Sequence, residues 1–190
     1  SYHPFQRARL RKLVQRYPYQ ILFNDKVVCT QLFQDPKIKM PKTVGMISTE
    51  DNFAAKLTRL FIDNNAAKFI IKPVLGSGGM GIVIALKNER NEIVIKNQQE
   101  QISIERYVLK QNVIVQEIVE QHPQIAAVSQ SSLNTIRVVT LLTKSEMVLI
   151  VSAAMRFSSN ESFVDNWSAG GIAVGVNVYN GTLKKYAFDK

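Results

Sequence analysis

A lysine and a glycine-rich loop between two apolar runs constrain this chain more than any other feature. Lys72-Pro73-Val74-Leu75 leads into Gly76-Ser77-Gly78-Gly79-Met80-Gly81, with Phe69-Ile70-Ile71 before it and Ile82-Val83-Ile84-Ala85 after it. Short β-branched runs bounded by glycine read as strands, so the segment reads as strand, loop, strand. Four glycines in six residues let backbone N–H groups approach a ligand without side chains in the way. Lys72 adds a positive charge beside them. The expectation is a hairpin that binds phosphate.

Context narrows the loop. Gly76 to Gly81 matches G-x-G-x-x-G, but a dinucleotide fingerprint needs a helix directly afterwards. Ile82 to Leu86 is β-branched and reads as a strand instead. A phosphate loop of the Walker type would end in Gly-Lys-Ser/Thr, and Gly81 is followed by Ile82. Protein kinases do place a glycine loop between strands over ATP, yet their D-F-G and H-R-D signatures are missing here. A bare flexible hairpin without ligand is the plain alternative.

Composition sets the bounds. The 190 residues suffice for one domain or two small lobes, and 46% hydrophobic content indicates a folded chain. No apolar run approaches the roughly 20 residues of a membrane span. Cys29 is the only cysteine, so no intrachain disulfide forms, and a cytoplasmic location is expected. The net charge of +9 favours anionic partners. Part of it lies in Arg7, Arg9, Arg11, Lys12 and Arg16. A helix from about Phe5 to Tyr17 would place Leu10, Leu13, Val14 and Tyr17 on one face, either packed on neighbouring elements or set against an anionic surface.

Three segments divide the chain: a basic helical stretch at 1–23, a first lobe at 24–112 and a second at 113–190. Asn24-Asp25 reads as a helix start, with Lys26 to Phe33 as its body. Ser48 or Thr49 is expected to cap a further helix bearing Phe53, Leu57, Leu60 and Phe61 on one face. A strand near Glu92 to Ile95 and a helix from about Glu100 to Lys110 follow. Val113 to Val119, Thr135 to Leu142, Met147 to Ala154, Gly171 to Tyr179 and Thr182 to Phe188 read as strands, and Asn180-Gly181 is a turn signal. Separate helices with mostly antiparallel strands define an α+β class.

Further residues belong with the loop. Val115-Gln116-Glu117-Ile118 ends a strand with carboxylates at Glu117 and Glu120. Asn134-Thr135-Ile136-Arg137 sets an arginine inside a strand, where Ile136 and Val138 would face the core and Arg137 the other way. Met155-Arg156-Phe157 brings a second arginine on the next strand. A guanidinium fork suits phosphate or carboxylate. Asp165-Asn166-Trp167-Ser168-Ala169-Gly170-Gly171 is a polar loop closing on two glycines.

Together with Asn24-Asp25-Lys26 and Phe69 to Pro73, these motifs resemble the ATP-grasp superfamily, in particular its sugar-transfer-associated branch, related to hexapeptide-transferase-like proteins and glutamate ligases. The resemblance implies ATP held between two α+β lobes. It gives Lys26 and Lys72 contacts to phosphates and adenine, and makes Gly76, Ser77, Gly78, Gly79, Met80 and Gly81 a phosphate lid. Gln116, Glu117 and Ile118 would line adenine, and Glu120 would hold ribose. Arg137 and Arg156 would face the phosphoryl group, and Asn166, Gly170 and Gly171 the substrate. Similar enzymes join a carboxylate to an amine through an acyl phosphate.

The family's magnesium-binding aspartate and Glu-x-Asn segment normally follow the Gly-Gly loop after another strand and helix, and no Glu-x-Asn is found after Gly171. A truncated domain, inactive by itself, is therefore expected, with magnesium ligands past Lys190 and none before it. A missing strand would leave a sheet edge open to self-association. Two other readings stay open: a non-catalytic module for polyanions, with nucleic acid disfavoured, and an ATP-dependent phosphotransferase.

Overall fold

The computed structural model describes residues 3–14, 17–97, 99–130, 132–158 and 170–189. The fold is α+β, with two antiparallel sheets and few helices. The chain divides into two compact units, Ser1–Asn97 with Gln101–Ile118, and Gln98–Glu100 with Val119–Lys190.

The first unit opens with α1 (Pro4–Val14), a 3₁₀ turn at Tyr17–Gln20, α2 (Ile21–Asn24) and α3 (Lys26–Leu32). Pro18, which lacks an N–H, suits the tight turn that Tyr17 opens, so Tyr17 does not extend α1. Leu10, Leu13 and Val14 are exposed rather than packed. The sequence of α1 holds four cations and no carboxylate. Next come β1 (Thr43–Ile47), α4 (Phe53–Asp63), β2 (Lys68–Pro73), β3 (Val83–Lys87), β4 (Ile93–Lys96), β5 (Gln101–Ser103) and β6 (Val113–Gln116). The strands make one sheet in the order β1-β6-β2-β3-β4-β5.

The core of this unit lies between α4 and one face of the sheet. Phe53, Leu57 and Phe61, spaced by four residues, bury against Ile47, Phe69, Ile71, Val83, Ala85 and Val115. The rings of Phe61 and Phe69 meet edge to face at 4.8 Å. Gly45 is small for a packing reason: a Cβ there would lie 2.9 Å from Leu60 Cδ1. The cap of α4 is Asn52, whose side chain accepts from Ala55 N at 3.0 Å. Ser48 and Asp51 instead close the preceding turn on each other, so neither Ser48 nor Thr49 caps the helix.

The helix expected over Glu100 to Lys110 is absent. Ile102 pairs with Ile95 and Ser103 with Val94, and Ile104–Arg106 is a 3₁₀ turn. The β-branched, every-second spacing of Ile102 and Ile104 outweighs helix propensity once β4 offers a partner edge.

The second unit holds α5 (Pro123–Ala126), β7 (Thr135–Leu142), β8 (Val148–Phe157), β9 (Ile172–Val176) and β10 (Leu183–Phe188), ordered β10-β9-β8-β7. The β7–β8 turn closes through Thr143 N donating to Met147 O at 2.9 Å. The Asn180-Gly181 turn forms, with Gly181 at φ 73° and its N–H on Asn177 O. Only Met155 and Phe157 bury deeply in these four strands. Ile136 and Val138 do lie on the face opposite Arg137, but both are about half exposed, not core. No described helix is long and apolar enough to cross a membrane.

Candidate nucleotide-binding site

The two faces of the first sheet divide their work. Residues paired across strands share a face, so Ile70, Lys72, Ile114 and Gln116 all lie on the side away from α4. Lys72 is the penultimate residue of β2, and Pro73, paired with Val113, ends the strand before the loop. The Lys72 ammonium donates to Gln116 Oε1 at 2.9 Å. Gln116 is buried, and its amide in turn donates to Thr43 Oγ1 at 2.9 Å. The lysine is thus held through an amide locked between β1 and β6. Its pKa lies below the ordinary lysine value, first because burial penalises the ammonium and second because Lys26 is a nearby like charge.

Lys26 reaches the same loop from α3. Asp25 caps this helix, its carboxylate accepting from Val27 N and Val28 N at 2.8 and 3.0 Å. Lys26 N–H donates to Val74 O at 3.0 Å, and its ammonium to Gly76 O at 3.1 Å. Asp25 also bridges Leu75. Desolvation lowers the Lys26 pKa, with Asp25 pulling it partly back. Helix start and loop entrance are therefore one assembly. On the same side, Val27, Thr30 and Gln31 line a groove of about 320 Å³ with Thr43, Met46 and Ile114.

The loop itself is built from left-handed backbone. Gly76, Gly78, Gly79 and Gly81 all have positive φ. At Gly78, φ is +73° and no atom lies within 4 Å of the place a Cβ would take. Backbone conformation, not crowding, requires glycine there. Ser77 and Met80 are exposed at the tip.

Not every expected contact joins this assembly. Glu117 turns to Lys42, forming an exposed ion pair at 2.9 Å, while its N–H is taken by Lys42 O. Ile118 is half-buried and Glu120 exposed. In the second unit, Thr135 pairs with Arg156 and Arg137 with Ala154. Arg137 and Arg156 are consequently diagonal neighbours on one face of the sheet. Gly170 has φ 89°, Gly171 is buried, and Asn166 lies outside the described residues.

A family model described as sugar-transfer associated ATP-grasp matches residues 5–190. The chain belongs to this family. No curated protein and no solved structure matches it. ATP-grasp membership implies ATP binding. Among the described residues no three His, Cys, Asp or Glu side chains converge as a metal-holding group.

Three residues support the Lys26–Lys72 assembly, and sequence reasoning reaches only Asp25 among them. Thr43 holds Gln116, and Asp25 caps the helix that Lys26 begins. Asn112 anchors the loop entrance by accepting from Val74 N at 2.9 Å with its carbonyl and from Thr49 N at 3.0 Å with its side chain. Asp25 carries a readable signal as a helix cap. Thr43 and Asn112 act through long-range contacts that no local pattern encodes.

Proposed function

We propose that this ATP-grasp domain is the nucleotide-binding part of an ATP-dependent carboxylate–amine ligase. The observation that carries the reading is the pairing of Lys72 and Lys26, two partly desolvated ammoniums at the entrance of one glycine loop. Holding like charges together is unfavourable, and a polyphosphate between them relieves the repulsion. The left-handed loop offers N–H groups to the same ligand.

The chemistry then follows in two steps. A substrate carboxylate oxygen attacks the γ-phosphorus, the bond to the β–γ bridging oxygen breaks, and ADP leaves with that electron pair. The acyl phosphate formed is attacked at its carbonyl carbon by an amine. Phosphate departs, and the amine proton passes to solvent. Lys26 and Lys72 hold the phosphate chain, while Arg137 and Arg156 neutralise charge on the transferred phosphoryl oxygens. Positioning and charge neutralisation suffice, without a nucleophilic side chain. His3 and His122 are the only histidines, and neither belongs to the assembly.

Thermal-shift titration tests the binding half, since a ligand specific to the folded state raises its stability. ATP should raise the melting temperature of the wild type and leave Lys72→Ala unchanged. Product analysis on the whole ligase tests the chemistry. Free phosphate together with a new amide supports the ligase, whereas a stable phosphorylated product replaces it with a phosphotransferase. Equal response to any polyanion, erased by salt, replaces both with a polyanion-binding module.

A further inference from the structure

The second sheet has one face that the motifs account for only in part. Strand pairing places Arg137, Ala154 and Gly175 on that face in a row, and Arg156 and Ala173 in the row beside it. Gly175 has no side chain to block its neighbour on β10. The stem of Lys184 occupies that space: a Cβ built on Gly175 would lie 3.0 Å from Lys184 Cδ and 3.4 Å from its Cγ. Lys184 therefore lies over β9 on the same face as the two arginines. Ala154, Ala173 and Gly175 keep the floor between the three cations low. The four strands contain no aspartate or glutamate. Lys185 differs, with its ammonium 5.6 Å from the ring centre of Tyr186.

We infer that Lys184 binds a second anionic group of the substrate, on the face where Arg137 and Arg156 serve the reacting one. The inference rests on the ligase reading for the role of the two arginines. Three strand spacings separate the backbones of β7 and β10, on the order of 14 Å, and the stem lying across β9 shortens that span. A carboxylic acid with a second carboxylate or a phosphate several bonds away fits such spacing. A substrate with one charge leaves Lys184 without use. An ammonium meeting an oxyanion in a charge-assisted bond also gives orientation, by fixing the far end of the substrate.

The test is calorimetric titration of the whole chain at low salt, saturated with ADP, using citrate as a polycarboxylate and acetate as the single-charge reference. Citrate should bind more tightly than acetate. Lys184→Gln should weaken citrate by about tenfold, the scale of one charged hydrogen bond, and leave acetate unchanged. Gly175→Val, which displaces the lysine stem, should reproduce the loss, and Lys185→Gln should not. Lys184 is exposed, so its variant tests the inference even if Gly175→Val does not fold. Wild type indifferent to citrate, Lys184→Gln equal to wild type, or Lys185→Gln losing as much would each overturn the assignment. An equal fall in ADP affinity in Lys184→Gln would move Lys184 to the nucleotide and overturn it too. Failure of the ligase reading is separate, because it shows in product analysis as a stable phosphorylated product in place of an amide.

Discussion

The two sheets are both antiparallel, yet they hold their cations in different ways. In the first, Lys72 sits on a sheet whose other face is buried under α4, and a chain of hydrogen bonds through Gln116 and Thr43 fixes it. In the second, Arg137 and Arg156 are placed by strand register, on a sheet where both faces of β7 are largely exposed. Burial fixes an ammonium in position and perturbs its protonation. Register sets which face a guanidinium occupies. Under the proposed function, the first arrangement is a pre-formed cradle for a polyphosphate and the second a face that adapts to a substrate.

The largest expected effect is on the core that supports this contrast. Phe61→Ala should cost about 3–5 kcal/mol, as large buried aromatics do, whereas Ile136→Ala should stay within about 0.5 kcal/mol, as exposed positions do. Denaturant melts of both variants measure this, and equal losses would break the comparison. Next, in the whole ligase of which this domain is proposed to be the nucleotide-binding part, Arg137→Ala should lower turnover by about 10²–10³, the usual scale for one charge-stabilising group, without moving the melting temperature. The mirror experiment, Gln116→Leu, should reduce ATP affinity by releasing Lys72. Gly78→Ala should cost about 1–2 kcal/mol through its left-handed backbone and weaken ATP more than it weakens the fold.

Proton linkage sharpens the same contrast. The folded value of Lys72 lies below the ordinary 10.5, so the folded chain loses this proton before the unfolded chain does. Stability from this group accordingly rises with pH between the folded value and 10.5, as the buried charge is removed. Bound polyphosphate favours the ammonium and raises its pKa. ATP binding at alkaline pH should therefore take up protons, and affinity should fall as pH climbs past the free-state value. Calorimetry in buffers of different ionisation enthalpy reads the uptake, which Lys72→Arg should abolish. The smallest effect belongs to the exposed Lys42–Glu117 pair, where Glu117→Gln should change stability by about 0–1 kcal/mol.

Much of this organisation is legible in the sequence, where local patterns match tertiary need. The glycine hairpin, α3, the apolar face of α4, the β7–β8 hairpin and the Asn180-Gly181 turn follow from periodicity and turn chemistry. Lys26, Lys72 and Gln116 are readable as a group only through family resemblance; the sheet then brings Lys72 and Gln116 within one hydrogen bond. The segment from Glu100 to Lys110 reads as a helix locally, but pairing with β4 decides its structure, and that partner lies outside any local window. The cap of α4 is ambiguous because Ser48, Asp51 and Asn52 all carry capping side chains, and only the turn geometry selects Asn52. Lys184 carries no signal at all, since its position depends on the absence of a side chain on a neighbouring strand.

The most direct measurement of the central claim is calorimetric titration of ATP into the wild type and into Lys72→Met, a substitution that keeps the stem and removes the charge. The wild type should bind ATP with proton uptake at alkaline pH, and Lys72→Met should lose that binding while its melting temperature without nucleotide stays level or rises. Undiminished ATP affinity in a folded Lys72→Met chain would contradict the cradle built on Lys72, Lys26 and the glycine loop.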